Sequence, residues 1–334
     1  MRAWQINSNE GIDALELVER KACKPGMGEV CVRVRASSVN YRDLATIRDP
    51  ASRNLPLPRI PNSDAAGEVI AIGEDVKTVA VGDRVTSCFF QDWEAGPCTP
   101  RAMDSALGGS IDGVLAEEVI LSARGVVSIP GHLTYEEAAT LPCAALTAWN
   151  ALIGTANLKS GDTVLLLGTG GVSIFALQFA QLMGIRAIVT SSSDNKLTRC
   201  REMGAWQTIN YHTSPDWELE VLKLTDNIGV DAVVEVGGAG TLDRSIAATR
   251  VAGTIALIGV LTGGQINPVA IMRKSIRLQG MYVGHRQMFE SMNRAITMHD
   301  LKPVIHETFP FKSARDAFHA MEAAGHFGKL VITL

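Results

Sequence analysis

Gly161-Asp-Thr-Val-Leu-Leu-Leu-Gly-Thr-Gly-Gly-Val-Ser-Ile-Phe-Ala-Leu-Gln-Phe-Ala180 is the stretch that decides the fold. Thr163–Leu167 is a short apolar run of the kind that forms a fully buried parallel strand. Gly168-Thr169-Gly170-Gly171-Val172 follows at once, and then Ile174, Leu177, Gln178, Ala180 and Leu182 recur at helical spacing. Strand, glycine turn and helix in that order form the context of a dinucleotide-binding fingerprint. The glycines let the chain turn sharply and let a pyrophosphate approach the backbone, whose unpaired N–H groups at the helix start receive its charge. The third glycine of the pattern is Ser173, so helix and strand must pack around a small hydroxyl. A plain strand–helix turn is the alternative reading.

Outward from this stretch, 334 residues suggest two domains. A composition 46% hydrophobic and 20% charged is that of an ordinary soluble globular protein. A net charge of −4 without a basic run gives no footprint for nucleic acid. No apolar stretch has the length of a membrane span, and the first residues lack a signal-peptide core, so a cytoplasmic protein is expected. The six cysteines form no C-x-x-C, and no two of the seven histidines stand four apart, so no metal cluster is expected.

Residues 1–125 read as β-rich. Glu29–Ala36 alternates apolar and polar, Ser63–Gly73 is a strand tightened by small residues, and Val81–Val85 is a Gly-Asp turn into a third strand. Arg48–Pro61 reads as a surface loop. Gln91–Gly113 either covers a cleft or is a tolerated insertion. Tyr135–Leu141 and Leu146–Ile153 read as helices separated by Pro142. Beyond the glycine turn, strands are expected at Ile185–Thr190, Thr208–Asn210, Val230–Val236, Thr254–Val260 and Ser275–Gly280. Helices are expected at Lys196–Met203 and Asp216–Leu224, with a closing helix Ala314–Ala323 and strand Lys329–Leu334. This rhythm implies an α/β protein with a doubly wound parallel sheet. The loops at Gly237-Gly238-Ala239-Gly240 and Gly259 then line its ligand crevice.

Together the pieces resemble the medium-chain dehydrogenase/reductase superfamily over essentially the full chain. The resemblance rests on Gly67-Glu-Val-Ile-Ala-Ile-Gly73, Gly82-Asp-Arg-Val85, Ala138-Ala-Thr-Leu-Pro142, Leu146-Thr-Ala-Trp149 and Gly168-Thr-Gly-Gly-Val172. Gly204-Ala-Trp-Gln207 and Ile209-Asn-Tyr211 are similar to the quinone oxidoreductase branch. The resemblance implies a GroES-like β-rich catalytic domain, residues 1–125 completed by 285–334, and a Rossmann nucleotide-binding domain over 126–284. It also implies a nicotinamide cleft and a homodimer joined along the sixth Rossmann strand. Matched motif by motif, the catalytic zinc positions of the alcohol dehydrogenases hold Asn40, Ser63 and Cys143. One soft ligand does not hold a zinc that needs three protein donors. The structural-zinc lobe offers Cys98 alone, and the places of the serine–histidine relay fall near Arg42 and Ala45. Cys143 then reads as a small buried residue, and a zinc-independent enzyme is expected.

The end of the second Rossmann strand decides the cofactor. An NAD enzyme carries an acid there for the ribose, whereas this chain has Thr190-Ser191-Ser192-Ser193, then Asp194 and Lys196. Hydroxyls and a cation suit the 2′-phosphate of NADPH, which the resemblance places between Lys196 and Tyr211. In the alternative, the serines only turn the chain, and Asp194 rotates to the ribose. The expected nucleotide contacts are Gly168, Thr169, Gly170, Gly171, Val172, Ser191, Ser192, Ser193, Lys196, Tyr211, Gly237 and Gly259, with Thr147 and Lys329 added by resemblance alone. Asn40-Tyr41-Arg42-Asp43 resembles the catalytic loop of quinone and enoyl reductases. By that resemblance Asn40 donates to a substrate carbonyl, Tyr41 donates a proton or walls the pocket, and Asp43 braces the loop through Arg42 or Arg84. NADPH-dependent reduction of a quinone or conjugated carbonyl is expected. An alcohol or ketone dehydrogenase, or a nucleotide-binding protein without turnover, remains open.

Overall fold

In the computed structural model, residues 1–22, 24–259 and 261–334 are described. They form two compact units, Met1–Leu146 with Val283–Leu334, and Thr147–Tyr282. The first 146 residues contribute β1 (Arg2–Ile6), β2 (Leu15–Glu19), β3 (Glu29–Val39), β4 (Asp64–Ile72), β5 (Arg84–Ser87), β6 (Glu118–Ser122) and β7 (Val126–Ser128). Residues 147–282 contribute β8 (Thr163–Leu167), β9 (Arg186–Ser191), β10 (Gln207–Asn210), β11 (Val230–Glu235), β12 (Thr249–Leu257) and β13 (Arg277–Gly280). The chain then returns to the first unit with β14 (Ile305–Pro310) and β15 (Lys329–Thr333).

In the first unit the main sheet runs β14-β15-β3-β4-β5-β7, with β6 also paired to β3. Val30, Val32 and Val34 point into its core, as the alternation predicts. The strand continues to Val39 because Ala36, Ser37 and Ser38 are buried too, paired on one side with β4 and on the other with β15. Gln91–Gly113 carries a short helix, Pro100–Met103, and buries Gln91, Ala102, Ala106 and Leu107, so this loop is packed rather than detached.

The second unit is the expected doubly wound sheet. Its order β10-β9-β8-β11-β12-β13 is parallel throughout and reverses direction between β8 and β11. All five residues of β8 are buried, which is why they read as a continuous apolar run.

Several elements depart from expectation. Helical backbone continues past Pro142, through wide i→i+5 turns at Leu141–Ala145 and Asn150–Thr155. Proline lacks an N–H to place, and the wide turn spares the backbone the clash it would cause in an α-helix. The glycine loop after β11 is short, because a helix already starts at Ala239 and runs to Ala248. Strand β12 begins at Thr249 rather than Thr254, and the expected end at Val260 lies outside the described residues. Gly284 and His285 lead directly into the helix Arg286–Met298.

Candidate functional site

In the first unit, the site is built where β3 hands over to the helix Tyr41–Arg48. Asn40 is the N-cap, and Asp43 Oδ2 accepts from its backbone N–H at 2.9 Å. Asp43 Oδ1 accepts from Arg42 Nη1 at 3.2 Å, and the same guanidinium donates to Leu107 O at 2.6 Å. Asp43 therefore braces the loop through Arg42. Arg84 is occupied elsewhere, on Leu133 O and over the Tyr135 ring.

The register Leu330↔Val39 brings the start of β15 against this loop. Lys329, only 3% exposed, donates from Nζ to Val39 O at 2.7 Å and to Asn40 Oδ1 at 2.5 Å. Asp64, the first residue of β4, is fully buried nearby. Its Oδ1 accepts from Ser63 Oγ at 2.6 Å, and its Oδ2 accepts from the backbone N–H of Cys143 at 3.0 Å, a group within the wide turn. Burial raises the Asp64 carboxyl to about 6, against the opposing pull of the Lys329 ammonium. Burial likewise lowers Lys329, while Asp64, Cys143 and Asp43 favour its charged form. Cys143, expected to be buried, is half-buried, and its thiol is pushed up by burial first and by Asp64 second. Asp43 is raised by burial and held back by Arg42. Two carboxylates and two cations thus share one buried cluster.

Asn40 is 7% exposed, and its Nδ2 has no hydrogen-bond partner of normal geometry among the described residues. It lies on the side of Asp64, whose ionised form it favours. The neighbouring Tyr41 is 41% exposed.

The second unit carries the glycine turn. Gly168 has φ +72°, a conformation that favours glycine, and no atom lies within 4 Å of where a Cβ would stand on Gly168 or Gly170. That open ground, with Thr169 buried beneath it and Gly171 and Val172 opening the helix Gly171–Leu182, fits a pyrophosphate. Ser173, in place of the third glycine, turns its Oγ back to Leu167 O at 2.6 Å, so the hydroxyl is satisfied inside the strand–helix contact.

At the ends of β9 and β10 the structure brings together Ser191, Ser193, Asp194, Lys196, Asn210 and Tyr211. Ser193 Oγ caps the helix Asp194–Glu202 by accepting from Lys196 N, and Ser191 Oγ accepts from Ser193 N at 3.3 Å. Two of the three serines therefore do shape the turn, while Ser192 is exposed. Asp194 Oδ1 accepts from Asn210 Nδ2 at 2.8 Å. Lys196 is lowered by burial and then by the Arg199 guanidinium. Tyr211 is anchored through its N–H to Ser191 O, with its ring 5.3 Å from that of His212.

Glu235, fully buried at the end of β11, accepts from the N–H groups of Gly237 and Gly238 at 2.8 and 3.1 Å. It also accepts from the hydroxyls of Thr241 and Ser245. A Cβ on Gly259 would stand 1.7 Å from Val236 O, so close approach of two strand ends demands glycine there. Thr147 is buried in the first residues of this unit. Sequence reasoning missed Asp64, Glu235, Asn210 and Arg199. An acid at the end of a largely apolar strand was the available signal for the first two.

Comparison with known proteins gives matches along the chain. The zinc-binding dehydrogenase family matches residues 171–298, and the alcohol dehydrogenase GroES-like domain matches residues 26–131. A zinc-type alcohol dehydrogenase-like protein of Schizosaccharomyces pombe is 41% identical over 315 residues, 92% of this chain and 91% of its own. A solved NAD-dependent alcohol dehydrogenase superposes with TM-score 0.91 at 32% identity, covering 100% of both chains. A quinone oxidoreductase from Coxiella burnetii does so with TM-score 0.81 at 27% identity, covering 100% of this chain and 99% of its own.

Proposed function

Because this chain belongs to the medium-chain dehydrogenase/reductase superfamily and is an oxidoreductase, we propose that it reduces quinones or conjugated carbonyl compounds with NADPH and without zinc. The observation that carries this reading is the buried Lys329 ammonium on Asn40. Of the three zinc-ligand positions, Asn40 is engaged by that ammonium, Ser63 donates its hydroxyl to Asp64, and Cys143 alone is a soft donor. Among the described residues no group of three His, Cys, Asp or Glu is placed to hold a metal. A divalent ion here would also face the ammonium, at about 4 kcal/mol per unit charge at 4 Å in an effective dielectric near 20. The donor set does not fit zinc.

Without a Lewis acid, neutral donors must meet the charge that develops on the substrate oxygen. A conjugated acceptor spreads that charge into an enolate or hydroquinone and asks less of them than an isolated ketone does. The buried Nδ2 of Asn40, on the side of Asp64 but without a hydrogen bond of normal geometry, is the donor proposed for that oxygen, with the exposed Tyr41 beside it as proton donor or wall. NADPH, when bound, supplies the hydride. Residues 147–282 would hold it on the glycine turn, and Ser192, Lys196 and Tyr211 would frame its 2′-phosphate. The positive charge of Lys196 and Arg199 favours an anion at this end, and the bond from Asn210 to Asp194 supports the phosphate reading over the ribose one. Gly237 and Gly259 would border the same nucleotide, with Thr147 towards its nicotinamide. A cytoplasmic homodimer joined along β13 completes the proposal. Among the described residues no helix is long and apolar enough to cross a membrane.

NADPH and NADH oxidation with quinones, enones, aldehydes and ketones, alongside zinc analysis, tests this reading. The expected result is quinone or enone turnover with NADPH at negligible zinc content. One zinc per chain, with chelator-sensitive oxidation of a secondary alcohol, would replace it with an alcohol dehydrogenase.

A further inference from the structure

We propose that Lys329 is a positioning residue of the reaction: by donating to Asn40 Oδ1 it fixes which way the carboxamide faces, leaving Nδ2 as the donor for the reacting oxygen. The inference rests on the reading of Asn40 above and assigns Lys329 to the substrate side rather than to the nucleotide.

A carboxamide turned half over presents NH2 where it presented oxygen. Against an ammonium that turn sets donor against donor, so the buried charge selects one orientation. The charge is itself pinned. Val39 O holds Nζ at 2.7 Å, and the β3–β15 pairing fixes Val39 opposite Leu330, so the sheet places the ammonium. Asp64, Cys143 and Asp43 favour its charged state. The carboxamide is equally constrained from its own backbone, since Asp43 accepts from Asn40 N–H and Arg42 from the same helix holds Asp43. Both protein partners of Nζ, Val39 O and Asn40 Oδ1, belong to the strand end and loop that carry the proposed donor. A hydrogen bond to Asn40 made by a neutral side chain would select less sharply, because charged donors bind a carbonyl about twice as strongly.

A double-mutant cycle of Asn40→Ala and Lys329→Met in the full chain tests this, read as kcat, kcat/KM, NADPH dissociation constant by titration calorimetry, and Tm. Each single variant is expected to lower kcat and kcat/KM together by about tenfold or more. The double variant should be no worse than the worse single one. NADPH affinity should stay within about threefold. If Lys329→Met does not fold, Lys329→Gln, a neutral side chain that still offers donors to Asp64 and Asp43, takes its place in the cycle. Additive losses overturn the proposal. With NADPH affinity more than tenfold weaker they make Lys329 a nucleotide contact, and with affinity unchanged they make it structural only. A wild type that turns over a secondary alcohol but no quinone or enone fails the proposed function instead. The same cycle run on that alcohol then decides the role of Lys329 separately.

Discussion

Lys196 is the residue on which nucleotide choice turns. One charged hydrogen bond to a 2′-phosphate contributes roughly 1.5–3 kcal/mol, which is about tenfold or more in affinity. Lys196→Ala is expected to weaken NADPH by that factor and leave NADH unchanged, as nucleotide titration will read. Equal wild-type affinities would mean that Ser191 and Ser193 only shape the turn. Tyr41 admits a similar decision. Tyr41→Phe should cost little in kcat if the ring is a wall, and about as much as losing an oxyanion donor, roughly 2.7–4 kcal/mol, if the phenol gives the proton. Steady-state rates with the best acceptor separate the two. At this scale short motifs pointed to Asn40, Lys196 and the serines as candidates. It did not show that Lys329 bonds Asn40 across 289 positions. That contact depends on strand register, which no local pattern carries.

The helix Arg286–Met298 shows what an element adds. His285 caps it, with Nδ1 accepting from Met288 N at 3.1 Å, and burial lowers its pKa from the ordinary 6.5. A proton on Nδ1 removes the acceptor and with it the cap. A group whose folded pKa is depressed stabilises the fold above its unfolded pKa, and that contribution is lost as pH falls through the folded value. Wild-type Tm is therefore expected to fall more steeply below pH 6.5 than that of His285→Asn, whose cap does not titrate in that range. The difference should approach the usual cap contribution of about 1 kcal/mol. A parallel pH dependence in both proteins would show that the cap does not matter. Elements buried on both faces, such as β8, were legible from apolar runs. The helix Ala239–Ala248 was not, since Gly238 and Gly240 read as loop while the Glu235 carboxylate, an inward acid, organises the turn before it.

For the whole molecule, the edge strand β13 and the segment before it leave Leu261, Val269 and Met272 exposed. Solitary exposed apolar residues are ordinary, but several beside an unpaired strand edge suit a second copy. Met272→Glu is expected to shift a wild-type dimer towards monomer in sedimentation, and a wild type that sediments as monomer would remove the dimer altogether. The two units also differ in how the gene lays them out. Residues 147–282 are contiguous and have all their strands in hand once synthesised, whereas the other sheet needs β15 inserted between β14 and β3. The ribosome therefore makes Asn40 long before it makes the lysine that orients it. Protease protection of stalled nascent chains should appear first over 147–282, and over β3 only after Thr333 has left the exit tunnel. Until then a growing chain has its glycine turn complete while Asn40 still waits for the ammonium that bonds it.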